Sequence, residues 1–154
     1  MNKIYLAGSC SSEDRTTMVK IANILRAHNL QVYCPWELKI EQAWSLPQEK
    51  WARQVFDSDI AAINNCDTFF FISKGRMSSA GSNFEQGYAF ATKKPCIVLQ
   101  ITEEPTSLMT FCGTTYFYNC LPSKILEKVE WIASFLEDKE KEPIIYNECR
   151  TTLT

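Results

Sequence analysis

The side chains whose types and spacing could do chemistry are carboxylates. Glu85 stands at the centre of the run Ser78-Ser79-Ala80-Gly81-Ser82-Asn83-Phe84-Glu85-Gln86-Gly87-Tyr88-Ala89-Phe90, where small residues lead from an apolar segment into a helix. A carboxylate there stands where open α/β sheets bind ligands, and the unpaired amides of a helix N-terminus favour its ionised form. Ala80, Gly81 and Gly87 keep the surroundings slim enough for a bulky ligand to approach. The plain alternative is that Ser82-Asn83-Phe84-Glu85 forms a capping box, with Glu85 bonding back to the Ser82 amide. Asp59 is the second candidate. Val55, Asp59 and Ile63 fall at i, i+4 and i+8 with Phe56 and Ile60 beside them, so Asp59 lies on or beside an apolar stripe, whereas Asp57 faces solvent. A carboxylate on such a stripe is costly without partners, and a rim-exposed Asp is the plain reading.

The thiols offer less. Seven cysteines are spread along the chain with no C-x-x-C pair and only His28 to supplement them, so no metal site is expected. Cys34 and Cys96 fall in expected strands as small apolar fillers, in a reducing compartment. Cys10 follows the first strand and could be reactive. No Asn or Asp is placed to orient His28, so a Cys–His nucleophile is not supported.

The elements that would position these residues follow from periodicity. Residues 3–7 read as a short buried strand, and Ser11-x-x-Asp14 caps a helix to about 28 with Met18, Ile21 and Leu25 inward. His28, near that helix's C-terminus, reads as a surface residue. A second strand spans 30–34 and ends at Pro35, before a loop whose Trp36 and Trp44 read equally as a ligand cover and as a plug over the core. A helix over 48–65 leads to 68–73, a continuously apolar run typical of a parallel strand covered on both faces. In the next helix Phe84, Gly87, Tyr88 and Ala91 are expected to face the sheet, with Glu85 one residue off that stripe in the first turn. A fourth strand over 95–101, a loop over 103–115, a fifth strand near 115–118 and a helix over 123–141 complete the pattern. Ile125, Val129, Ile132 and Leu136 form that helix's inner face. This is an α/β chain, a single-domain, flavodoxin/Rossmann-like doubly wound five-stranded parallel sheet with flanking helices. The domain covers 1–142, and 143–154 is a tail. Ligands of such sheets bind at the carboxyl ends of the strands, so the loop 8–13, with Gly8 and Ser9, borders the site. It is neither a G-x-G-x-x-G turn nor a P-loop.

A chain of 154 residues, 45% apolar, can bury one sizeable core. A net charge of −2 with scattered basic residues gives no footprint for polymeric nucleic acid and points to a small molecule. Without a leader or a long apolar run, no membrane partner is expected and a cytoplasmic location is.

The run Gly81-x-x-x-Glu85-x-Gly87-x-Ala89, preceded by Asp59-Ile60 and by Ile4-Tyr5-Leu6-Ala7-Gly8, resembles the nucleoside 2-deoxyribosyltransferase family over roughly residues 3–118. The resemblance implies that Glu85 is a nucleophile forming a covalent deoxyribosyl ester, that Tyr5 orients it, and that Asp59 contacts or protonates the leaving base. Paired carboxylates suit glycosidic cleavage, and no cofactor is implied. Ser107-Leu108-Met109 is similar to a family motif that reaches into a neighbouring subunit's site, which implies a homodimer or higher homo-oligomer. Gly8, Ser9, Ser79, Gly81, Ser107 and Met109 are then the expected substrate-binding residues.

Two positions depart from the transferases. Ser79 stands where they carry an Asp that binds the sugar hydroxyls, and Ser107 where they carry Asn. Serines at both are similar to the related 2'-deoxynucleoside 5'-phosphate N-hydrolases, in which they hold the phosphate, although Ser is also a frequent loop residue. Arg15, Lys74 and Arg76 are candidate cations for that phosphate. The expected substrate is a 2'-deoxyribonucleoside or its 5'-monophosphate, with hydrolysis of the monophosphate favoured. Transfer of deoxyribose between bases is the first alternative, and a non-catalytic nucleotide-binding module the second.

Overall fold

The structure, a computed structural model, describes residues 2–138. The strands are β1 (Lys3–Ala7), β2 (Gln31–Tyr33), β3 (Thr68–Ser73), β4 (Cys96–Gln100) and β5 (Tyr116–Asn119), and the helices α1 (Ser12–Ala27), α2 (Gln48–Asn65), α3 (Ala80–Ala91), α4 (Leu108–Cys112) and α5 (Ile125–Glu137). All neighbouring strands pair in parallel, in the order β2-β1-β3-β4-β5. The order reverses at β1 and β3, whose carboxyl ends therefore flank the crevice where such sheets bind ligands.

Alternation along the strands sends side chains to two apolar layers. Ile4, Leu6, Phe70, Ile72, Ile97 and Leu99 pack beneath α1 and α5 against Met18, Ile21, Leu25, Val129 and Ile132. Tyr5, Ala7, Phe69, Phe71 and Val98 form the opposite layer, against Ile63 of α2 and Ala89 of α3. Both faces of the sheet are covered, which is why β3 is buried at every residue.

The Ser11 cap of α1 forms as expected, its side chain accepting from the Asp14 amide. His28 closes that helix and pairs with Glu130 and Glu137 of α5. Cys34 lies just beyond β2 rather than within it, but is buried, as is Cys96, and the six described cysteines are free. Trp36 packs against the core, whereas Trp44 is 90% exposed and does not plug it.

The largest corrections concern α3. Its N-cap is Ser79, whose Oγ accepts from the Ser82 amide at 3.2 Å, so the helix begins three residues earlier than a Ser82 cap requires. Glu85 therefore stands in the second turn, and the capping box does not form. The fully buried residues are Ser82, Gln86 and Ala89, and of the expected stripe only Tyr88 packs against the core: Phe84 is 58% exposed, and Gly87 and Ala91 also face outward. Gln86 anchors this face by donating to the Thr110 carbonyl at 2.9 Å and to Thr114 Oγ1 at 3.1 Å. The stripe read from periodicity belongs to an outer apolar surface, where Phe84 meets Phe56 of α2 with ring centroids 6.0 Å apart.

Elsewhere, the segment 103–115 contains the short helix α4, capped by Ser107, rather than loop alone. The chain enters α5 through a single 3-10 turn at Pro122–Lys124. That helix ends at Glu137, where Asp138 turns to an extended conformation, rather than at about 141, and the tail 143–154 lies outside the described residues. Among the described residues no helix is long and apolar enough to cross a membrane.

Candidate active site

Three aromatic rings lie side by side across the crevice. Tyr5 is the register partner of Tyr33 on one neighbouring strand and of Phe69 on the other. Lateral neighbours in a sheet share a face, and the rings stack at centroid distances of 5.3 Å and 5.4 Å. Tyr5 is fully buried by this packing. Each tyrosine meets a carboxylate from the helical layer. Tyr33 Oη donates to Asp59 Oδ1 at 2.9 Å, linking β2 to α2. The Tyr5 hydroxyl lies beside Glu85 of α3 and favours its ionised form, although Tyr5 Oη and Glu85 Oε2 are both buried with no partner at full hydrogen-bonding geometry.

Burial dominates the electrostatics. It pushes the Glu85 carboxyl up to about 7, with the Tyr5 hydroxyl pulling down and the Asp59 charge pushing up. Asp59 is likewise raised by burial, against the downward pull of the Tyr33 hydrogen bond. Both phenols are raised, by burial first and then by the carboxylates, so they remain protonated donors. The expected setting for Glu85, among free amides at a helix start, is thus corrected: a second-turn carboxylate faces a phenol and a second carboxylate instead.

Glu85 opens into a cleft of about 410 Å³, which it lines with Gly8, Ser9, Cys10, Ser11, Pro35, Ser79, Gly81 and Ser82. That is within the size range of small-molecule sites. A Cβ at Gly8 would crowd its neighbours, lying 3.3 Å from the Ile72 carbonyl and 2.8 Å from Met18 Cε, which would have to move aside. Ser79 reaches the cleft although its hydroxyl is engaged with α3, 2.9 Å from Ser82 Oγ.

Of the expected site residues, Gly8, Ser9, Ser79, Gly81 and Glu85 line the cleft, whereas Tyr5 and Asp59 do not line it and are linked to it through their interactions with Glu85. Ser107 and Met109 are elsewhere: they line a second cleft with Arg76, Asn83, Gln86 and Phe90, where Met109 is 82% exposed. Two of the candidate cations are already paired, Lys74 with Asp14 at 3.2 Å and Arg76 with Glu104 at 3.1 Å. Arg15 Nη2 donates to the carbonyl of Cys10, a cleft residue, at 3.5 Å. Tyr33 is the residue that sequence reasoning missed. Its signal was its place at the carboxyl end of β2, opposite Tyr5.

The model of the nucleoside 2-deoxyribosyltransferase family matches residues 4–142. No curated protein matches the chain. Among solved structures, a 2-deoxyribosyltransferase from Bacillus psychrosaccharolyticus is 24% identical and superposes with a TM-score of 0.70, over 83% of this chain and 90% of that one. A CMP N-glycosidase from Clostridium botulinum is 17% identical with a TM-score of 0.59, over 84% and 99% of the two chains. A flavodoxin from the domain Archaea, 13% identical with a TM-score of 0.51 over 92% and 100%, shares the doubly wound sheet. At these identities the structures show the fold, and the match over nearly the whole described chain shows the family: this protein belongs to the nucleoside 2-deoxyribosyltransferases.

Proposed function

We propose that the protein cleaves the N-glycosidic bond of a 2'-deoxyribonucleoside or its 5'-monophosphate, with Glu85 as the nucleophile. The observation that carries this reading is the buried Glu85 Oε2, unpartnered beside the unpartnered Tyr5 hydroxyl at the edge of a nucleoside-sized cleft. In the first step a Glu85 oxygen bonds to C1' while the C1'–N bond breaks and its electron pair leaves with the base. Asp59, held by Tyr33, contacts or protonates that base. In the second step water attacks C1' as the C1'–Oε bond to Glu85 breaks, the water's proton passing to the Asp59 carboxylate or to solvent, and Glu85 is released as a carboxylate. Tyr5 orients Glu85 through both steps.

Ser79 at the cleft and Arg15 behind Cys10 support a 5'-phosphate subsite and hence the hydrolase. The family match favours the second reading, in which a base replaces water and the sugar is transferred. A homo-oligomer accounts for Ser107 and Met109, which lie apart from the Glu85 cleft and would complete a neighbour's site. The exposed Phe84, Phe90 and Met109 supply an apolar surface for that contact. The decisive experiment is chromatography of free base released from deoxynucleosides and their 5'-monophosphates, with and without an acceptor base. Release from monophosphates unaffected by acceptor supports hydrolysis, and a new nucleoside formed from the acceptor supports transfer.

A further inference from the structure

We infer that Tyr33 is a positioning residue for the reaction, acting through its hydrogen bond to Asp59 to fix where that carboxylate meets the leaving base. This rests on the functional reading above and adds a residue to it. The geometry is specific. Tyr33 is the last residue of β2, its ring is held flat on Tyr5 at 5.3 Å and 22°, and its hydroxyl reaches Asp59 Oδ1 at 2.9 Å. One strand register therefore sets both carboxylates, because Tyr5 serves Glu85 and its lateral partner Tyr33 serves Asp59. Among the described residues Tyr33 is the one whose hydrogen bond to the Asp59 carboxylate is seen, leaving Oδ2 for a ligand.

The titratable groups around Asp59 are Tyr33 from β2, Tyr5 from β1, Cys10 from the loop after β1, and Glu85 from α3. Of these, Tyr33 is the one that lowers the Asp59 pKa, so removing its hydroxyl should raise it. Tyr33→Phe deletes one oxygen and keeps the stacked ring. We expect kcat/KM to fall roughly tenfold to a hundredfold, the range of a lost hydrogen bond to a charged group. The pH limb belonging to Asp59 should move to higher pH.

Two further measurements isolate the coupling. In an Asp59→Asn background, Tyr33→Phe should cost less than about twofold, because the pair acts as a unit. Carbon-13 NMR titration of the Asp59 carboxyl should show the upward shift in Tyr33→Phe whatever the activity. Should that variant fail to fold, difluorotyrosine at position 33, a stronger donor, should move the same limb downward. An unshifted Asp59 titration, or equal losses with and without Asp59, would overturn the inference. A wild type that releases no base from any deoxynucleoside would overturn the functional reading itself, a result separable from the NMR outcome.

Discussion

Tyr5 and Glu85 meet in the interior: the Tyr5 hydroxyl favours the ionised carboxylate, yet Tyr5 Oη and Glu85 Oε2 are both sealed from solvent with no partner at full hydrogen-bonding geometry. A buried donor and acceptor left open together are a destabilising arrangement in the free protein, and one that a ligand can relieve. The proposed role of Glu85 is thus opposed to stability.

Glu85→Gln is the direct test of that opposition. The carboxyl is raised from 4.5 to about 7, so the folded state loses stability as pH climbs from 4.5, and the full loss is present above 7. The cost is on the order of 3 kcal/mol at alkaline pH. Glu85→Gln should therefore unfold at higher temperature than wild type at pH 8, with the difference vanishing near pH 4, while glycosidic cleavage is essentially lost. In the wild type, kcat/KM should decline as pH drops through about 7, because the protonated acid cannot attack. A Gln variant that is both active and no more stable would return Glu85 to a structural role.

His28 behaves in the opposite sense. Glu130 and then Glu137 hold its imidazolium above the usual histidine range, tying the end of α1 to α5. A raised pKa contributes stability that is complete below about 6.5 and fades as pH rises through the folded value. His28→Ala should lower Tm clearly at pH 6 and much less at pH 9, by calorimetry in matched ionic strength. An effect equal at both values would assign the residue to packing.

The outer apolar surface predicts association. Phe84 and Phe56 are 58% and 44% exposed and lie against each other, with the Arg53 guanidinium over the Phe56 ring. If the protein associates through this surface, as proposed, Phe84→Glu should shift it to monomer and cut activity by at least tenfold, by analogy with burying an unpaired charge in an interface. Light scattering and specific activity across dilution read both effects. A fully active wild-type monomer would exclude a shared site.

The sheet was legible because its strands are covered on both faces, so Thr68-Phe69-Phe70-Phe71-Ile72-Ser73 is unmistakable, and α2 was recovered at its full extent. Tyr5, Asp59 and Glu85 were found by chain position and resemblance, and they do converge. What periodicity could not give was the orientation of α3. An outer apolar patch and an inner face of Ser82, Gln86 and Ala89 produce overlapping stripes, and only the Ser79 cap decides between them. Tyr33 was hidden for a different reason: a three-residue strand carries too little pattern to place its last side chain, and the partnership with Tyr5 is a property of register between strands. The separation of Ser107 from Glu85 likewise depends on the path of α4 around α3, which no local signal encodes.

Ser79→Asp separates phosphate recognition from folding. Ser79 caps α3, and Asp caps a helix as well as Ser does, so Tm should barely change, whereas Ser79→Ala should cost about 1 kcal/mol. If the cleft holds a 5'-phosphate, a carboxylate about 4 Å away opposes it by roughly 1 to 4 kcal/mol. Cleavage of deoxynucleoside monophosphates should then fall about fivefold to a thousandfold. Unphosphorylated deoxynucleosides should be cleaved as well as before or better, because the new carboxylate can accept from a sugar hydroxyl. The ratio of kcat/KM for the two substrates, measured by released base, reads the effect directly. Equal losses on both, with Tm unchanged, would remove the phosphate subsite and leave deoxynucleosides as the substrates.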